Sequence, residues 1–81
     1  MKLNDLKINQ KAVIISIDTK ANAAKRLIEI GFSVGTEVIK IINGMSTGLC
    51  AYEVKNTVVA LRNETAESVN VLTIKGGYDG K

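Results

Sequence analysis

Arg26-Leu27-Ile28-Glu29-Ile30-Gly31-Phe32-Ser33-Val34-Gly35-Thr36 is the stretch that decides how this chain folds. Leu27 and Ile28 adjoin and share a face with Ala24, three to four positions back, which is helical spacing. Gly31 stands where a helix ends in a residue at positive φ, a conformation that costs energy in any residue with a Cβ. Phe32 then falls where an apolar side chain packs back on the last turn, on Leu27. Ser33-Val34-Gly35-Thr36 has glycine third, as a type II turn requires. Thr36 opens a strand. Taken alone, the eleven residues make one corner of a small core.

Working outward, the helix is expected over residues 20–30. Asp18 or Thr19 would accept from its free first-turn amides. Lys20, Lys25, Arg26 and Glu29 would face outward, and Ala23, Ala24, Leu27 and Ile28 inward. Before it lies a strand at 12–17, in which Val13, Ile15 and Ile17 alternate with Ile14 and Ser16, so that the face carrying Ser16 is the less buried. Leu3 and Leu6 are spaced to form one turn that plugs an end of the core. After the corner come strands at 36–42, 49–54, 57–62 and 69–74. The loop 43–48 is rich in turn residues. Lys55-Asn56 has the length of a two-residue hairpin turn, with Asn56 tolerating positive φ. Residues 63–68 suit one helical turn. The expected fold is mainly β: about five strands in a small curved barrel, with one short helix inserted between the first two strands. Closure into a barrel would remove exposed strand edges.

The chain has 81 residues, 46% of them hydrophobic, enough for a single small core. A domain of that size buries only about 60% of its extended surface. We expect one domain over 1–75 and a flexible glycine-containing tail at 76–81. The net charge is +3, but the lysines are scattered and form no footprint for nucleic acid or anionic lipid, so they read as a solvated surface. The lone cysteine, Cys50, is compatible with a reducing compartment and reads as a small core hydrophobe. No apolar leader region opens the chain. No uninterrupted apolar run exceeds four residues, far short of a membrane span. A cytoplasmic location without membrane insertion is expected.

The chemistry that would mark an enzyme is missing. Histidine is absent, which removes the commonest general base and the imidazole ligand for iron or zinc. Cys50 by itself cannot build a thiolate metal site. The eight acids are spread over different elements, with no sign of a carboxylate pair. Gly44-x-x-x-Gly48 is followed by Leu49 and lacks the Lys-Ser/Thr of a phosphate-binding loop. Phe32, Tyr52 and Tyr78 do not group into a base-stacking platform. No catalytic residue, cofactor or metal site is therefore expected, and nucleic acid is not expected as a partner. What remains is a surface for another protein. Its candidates are the outer face of the helix (Lys25, Arg26, Glu29) and the loop 43–48 with Met45 at its centre, methionine being suited to adaptable contacts.

Arg26-Leu27-x-Glu29-x-Gly31-Phe32-x-x-Gly35-Thr36 into Val38 resembles the central motif of the FeoA family, the small ferrous iron transport protein A. The likeness extends from Leu3-x-x-Leu6 to Tyr52-x-Val54-x-x-x-Val58-x-Ala60-Leu61-Arg62, then Ala66 and Val69-x-Val71. Two departures stand out. Members usually carry a glycine where Asn9-Gln10 stands, and often Gly-Asp-Pro before the third strand, where this chain has Thr47-Gly48-Leu49-Cys50. The resemblance implies an SH3-like barrel and an accessory role in bacterial ferrous iron uptake. It implies docking on a membrane iron permease with a cytosolic GTP-binding domain (ferrous iron transport protein B), and Arg26, Glu29, Phe32 and Met45 as contact residues. Related domains in iron-dependent repressors imply transition metal binding as an alternative, and an RNA-binding SH3-like barrel is another. An unpaired strand edge would also allow a homodimer.

Overall fold

The computed structural model describes residues 1–20, 22–44 and 46–74. A 3-10 turn, Leu3–Asp5, leads into β1 (Lys11–Ile17) and α1 (Ala24–Glu29). β2 (Glu37–Gly44), β3 (Leu49–Val54) and β4 (Thr57–Arg62) follow as a meander. α2 (Asn63–Ala66) then returns the chain to β5 (Val69–Thr73). The five strands form one antiparallel sheet in the order β4-β3-β2-β1-β5. Mainly β with one short helix between the first two strands is what the sequence leads one to expect. α2 adds a second, shorter helix where a single helical turn is expected. The tail at 76–81 lies outside the described residues.

The corner is built as its residues dictate. Gly31 sits at φ +113° and donates to the Ile28 carbonyl at 3.2 Å, while the Phe32 amide reaches back to Leu27 O at 2.9 Å. That pair of bonds is a Schellman cap. It delivers Phe32 into the core beside Leu27, at 0% and 1% exposure, each burial worth about 1.5–3 kcal/mol. The Thr36 amide closes the next turn on Ser33 O at 3.1 Å, with Gly35 at φ +92°. Gly35 N and Thr36 O then pair with Ile14 at 2.7 and 2.9 Å, which welds the corner to β1.

Two bulges bend the sheet. Ile14 and Ser16 of β1 face the adjacent residues Val71 and Asn70 of β5, leaving Ile15 as an extra residue. Ile41 is the extra residue where Lys40 and Ile42 of β2 face Tyr52 and Ala51 of β3. A bulge inverts the in-out alternation. The expected facing of β1 is thereby corrected: Ala12 and Ile14 are buried, while Ile15 joins Ser16 in solvent. The same inversion turns Ile42 outward after Val38 and Lys40 have pointed in.

The helix is shorter than expected. α1 begins only at Ala24, without a side-chain cap. Asp18 Oδ1 instead accepts from the Lys20 amide at 3.0 Å, an Asx turn that holds this stretch out of the helix. Ala24 and Leu27 are buried as expected, but Ile28 is 51% exposed. Six residues make fewer than two turns, so only one narrow stripe meets the core.

The 3-10 turn plugs the barrel with Leu3 and Leu6, at 0% and 2% exposure. Lys40, although a lysine, is not part of the solvated surface. It is 3% exposed, and its Nζ donates to the Asn4 carbonyl at 3.1 Å, so the stem lines the core while the head ties β2 to the plug. Asn9 adopts φ +69°, a left-handed backbone that asparagine is among the few residues with a Cβ to tolerate.

Candidate functional site

Most of the sheet's boundary is closed. The outer edge of β5 is covered by the chain's start, where Met1 O accepts from the Val71 amide at 2.8 Å and Lys2 bridges Asn70. Among the described residues β4 is the open edge. Lys55 and Asn56, at φ +51° and +64°, form the two-residue turn that fixes its register, and Val54 and Thr57 close it. Antiparallel pairs alternate from there. Thr57, Val59 and Leu61 exchange hydrogen bonds with β3, so the amides and carbonyls of Val58, Ala60 and Arg62 point away from the sheet. These three residues are exposed, Val58 to 61%.

Beside this edge runs a groove of about 430 Å³. Arg26, Leu27 and Ile30, from α1 and the residue after it, form one wall, and residues 59–62 form the other. Leu49 closes it at the start of β3 and Thr65 at α2. Among the described residues its lining is apolar except for Thr65 and two guanidinium groups, Arg26 and Arg62, and includes no acid. The one ion pair among the described residues is elsewhere, Lys11 to Glu37 at 3.8 Å on the exposed surface.

The four residues singled out as contacts are not brought together. Arg26 is exposed and lines the groove. Glu29 is exposed on the same helix but does not line it. Phe32 is 0% exposed, so its place as a surface contact is corrected to that of a core residue; the Schellman cap that its own motif encodes turns it inward. Met45 lies outside the described residues. Sequence reasoning missed Arg62, Leu49 and Ile30. The partnership of Arg62 with Arg26 needs β4 to lie beside α1, across more than thirty intervening positions.

Elsewhere the polar groups are structural. Cys50 is 2% exposed, as a small core hydrophobe should be. Its Sγ lies 3.4 Å from Asn43 Oδ1 and 3.3 Å from Asn63 Oδ1, and its single proton can serve one of them. The Tyr52 hydroxyl and Asn4 Oδ1 are buried without a hydrogen-bond partner. Burial, then the neighbouring Cys50, pushes the Tyr52 phenol above the usual tyrosine range. Phe32 and Tyr52 are both core residues, so neither is available as a stacking platform for bases. No three His, Cys, Asp or Glu side chains converge among the described residues, so no multidentate side-chain donor set for a metal forms there. No helix among the described residues is long and apolar enough to cross a membrane.

Five antiparallel strands curled around a plugged core define a small SH3-like domain, with an apolar groove beside its β4 edge. Residues 1–72 match the FeoA domain, and the chain belongs to the FeoA family, whose members are accessory proteins of ferrous iron transport. It is 30% identical over 71 residues to a Campylobacter jejuni protein that carries the name Fe(2+) transport protein A, covering 88% of this chain and 96% of that one. Among solved structures it is similar to FeoA of Stenotrophomonas maltophilia, crystallised with zinc and described as a prokaryotic SH3 domain protein. The two are 37% identical, with 88% of each chain covered and a TM-score of 0.76. A FeoA-like protein from Clostridium acetobutylicum superposes at a TM-score of 0.86, covering 99% of this chain and 93% of that one, and at 19% identity shares the fold.

Proposed function

We propose that this protein docks on the cytosolic part of the membrane iron permease, ferrous iron transport protein B, and modulates its assembly or activity. It works in the cytoplasm and by binding, with no chemistry of its own. One observation carries this reading: a domain of a ferrous-iron-transport family exposes an apolar groove flanked by two arginines. A groove of that kind suits recognition of another protein better than it suits turnover, because among the described residues no carboxylate, histidine or thiol lines it to activate the one hydroxyl there, that of Thr65.

The test is a calorimetric titration of the whole protein against the permease's cytosolic GTP-binding domain, with GDP, with a non-hydrolysable GTP analogue and without nucleotide. Saturable 1:1 binding in at least one nucleotide state is the expected result. Absence of heat and of complex in all three would overturn the docking reading.

A further inference from the structure

β4 is a poorly defended edge. Its sequence, Thr57-Val58-Val59-Ala60-Leu61-Arg62, carries one charge, at its end, and no proline. Natural sheets usually protect such an edge with lysines, prolines or a covering segment, because its free amides and carbonyls invite another strand. Among the described residues the chain's start covers the β5 edge at Asn70 and Val71, and no segment pairs with the outer edge of β4.

The groove beside the edge supplies what a bare edge lacks, a reason for one strand to bind and not another. A strand laid on β4 would alternate its side chains between the sheet's outer face and the groove side. On the groove side Ile30, Leu49 and the half-buried Val59 offer apolar contact over a floor closed by the buried Leu27, and Arg26 and Arg62 offer charge. Both guanidiniums stand without an ion pair among the described residues. An incoming carboxylate would meet two of them and, among the described residues, no acid in the lining, and guanidiniums hold carboxylates through paired donors. Glu64 lies in the neighbouring hollow, with Asn22 and Ser68, outside this lining.

We propose that an extended, acidic segment of a partner protein adds to β4 as a sixth strand, with apolar side chains in the groove and a carboxylate on Arg26 and Arg62. Main-chain bonds to Val58 and Ala60 give the segment its register, and the arginines select for charge. A second copy of this chain is the poorer occupant. Two-fold pairing of β4 with β4 would bring each copy's arginines against a groove that already holds two, in a protein of net charge +3. This site deepens the docking reading and rests on it for the identity of the partner.

Two probes separate the two claims: the permease's cytosolic domain, and a synthetic ten-residue peptide with threonine at every second position and valine and glutamate alternating at the others, so that one face carries both, with lysine replacing glutamate in the control. Each is titrated into the isotopically labelled protein, and amide shifts are followed by NMR. The expected result is shift changes at the Val58, Ala60 and Arg62 amides with both the domain and the acidic peptide. Affinity for each should fall at least tenfold in Ala60→Pro, in which the lost amide is one that β3 does not use. It should fall similarly in Arg26→Glu, which leaves the edge intact, and the lysine peptide should not bind. Binding of the domain with shifts elsewhere, unaltered by either variant, overturns the β4 site and leaves docking standing. Binding of the acidic peptide at β4 without any binding of the domain upholds the site and removes the permease as its partner. Failure of both to perturb β4 overturns the site, as does β4 shifting with protein concentration alone while sedimentation shows a dimer.

Discussion

Tyr52 shows how little of a residue's role lies in its type. It stands on β3 at 0% exposure, and its hydroxyl has no partner. An unpaired buried hydroxyl is a cost, so Tyr52→Phe should leave stability unchanged or raise it by up to about 1 kcal/mol near neutral pH. The pH dependence carries the sharper test. The folded phenol ionises above its free value near 10, so the folded state holds the proton more firmly than the unfolded one. The associated stability is fully present below that free value and is lost as pH rises above it toward the folded one. Melting temperature followed from pH 8 to 11 should therefore decline less steeply in Tyr52→Phe than in the wild type. Parallel curves would show that Tyr52 ionisation is not linked to unfolding. Gly31 is the contrasting case, since its role was legible directly. A Cβ there would meet only Lys55 Cδ, at an ordinary 3.6 Å, so the requirement is for backbone conformation and not for space.

At the scale of elements, the β3–β4 hairpin sets the register on which the binding edge depends. Both turn residues sit at positive φ, the type I′ conformation that Asn-Gly fits best. Lys55 meets that geometry with a side chain that resists it, and Asn56 with one that tolerates it less freely than glycine would. Asn56→Gly should therefore raise stability by about 0.5–1 kcal/mol, read as a shift of the urea midpoint without change in slope. A lower midpoint would mean that the turn is held by contacts of the asparagine side chain. Strands 49–54 and 57–62 were readable to the residue, because alternation and a two-residue turn are local signals. α1 was not. An Asx turn at Asp18 and the narrow docking surface cut it to six residues, and neither competitor can be weighed from helical spacing alone.

At the scale of the whole molecule, the barrel depends on its plug. Leu3 and Leu6 are core residues, and Lys40 Nζ spans 36 positions to reach Asn4 O. Leu6→Ala should cost about 2–5 kcal/mol, comparable to the whole stability of a domain this small. The variant is expected to lose cooperative thermal unfolding at neutral pH, seen by circular dichroism. A sharp transition within a few degrees of the wild type would show that the plug is dispensable. Arg26→Glu should melt normally, because its side chain is exposed.

By itself the sequence determined the mainly β class, the strand positions, the Schellman cap at Gly31 and the type II turn at Gly35. It also carried the FeoA family resemblance. Each of these rests on signals a few residues apart. Only the tertiary structure decided which face of β1 is core, because a bulge shifts alternation by one residue without announcing itself in composition. It also decided that Lys40 is interior and that β4 is the open edge among the described residues. The groove of Arg26 and Arg62 belongs to the same class: it exists only where α1 and β4, far apart along the chain, come side by side.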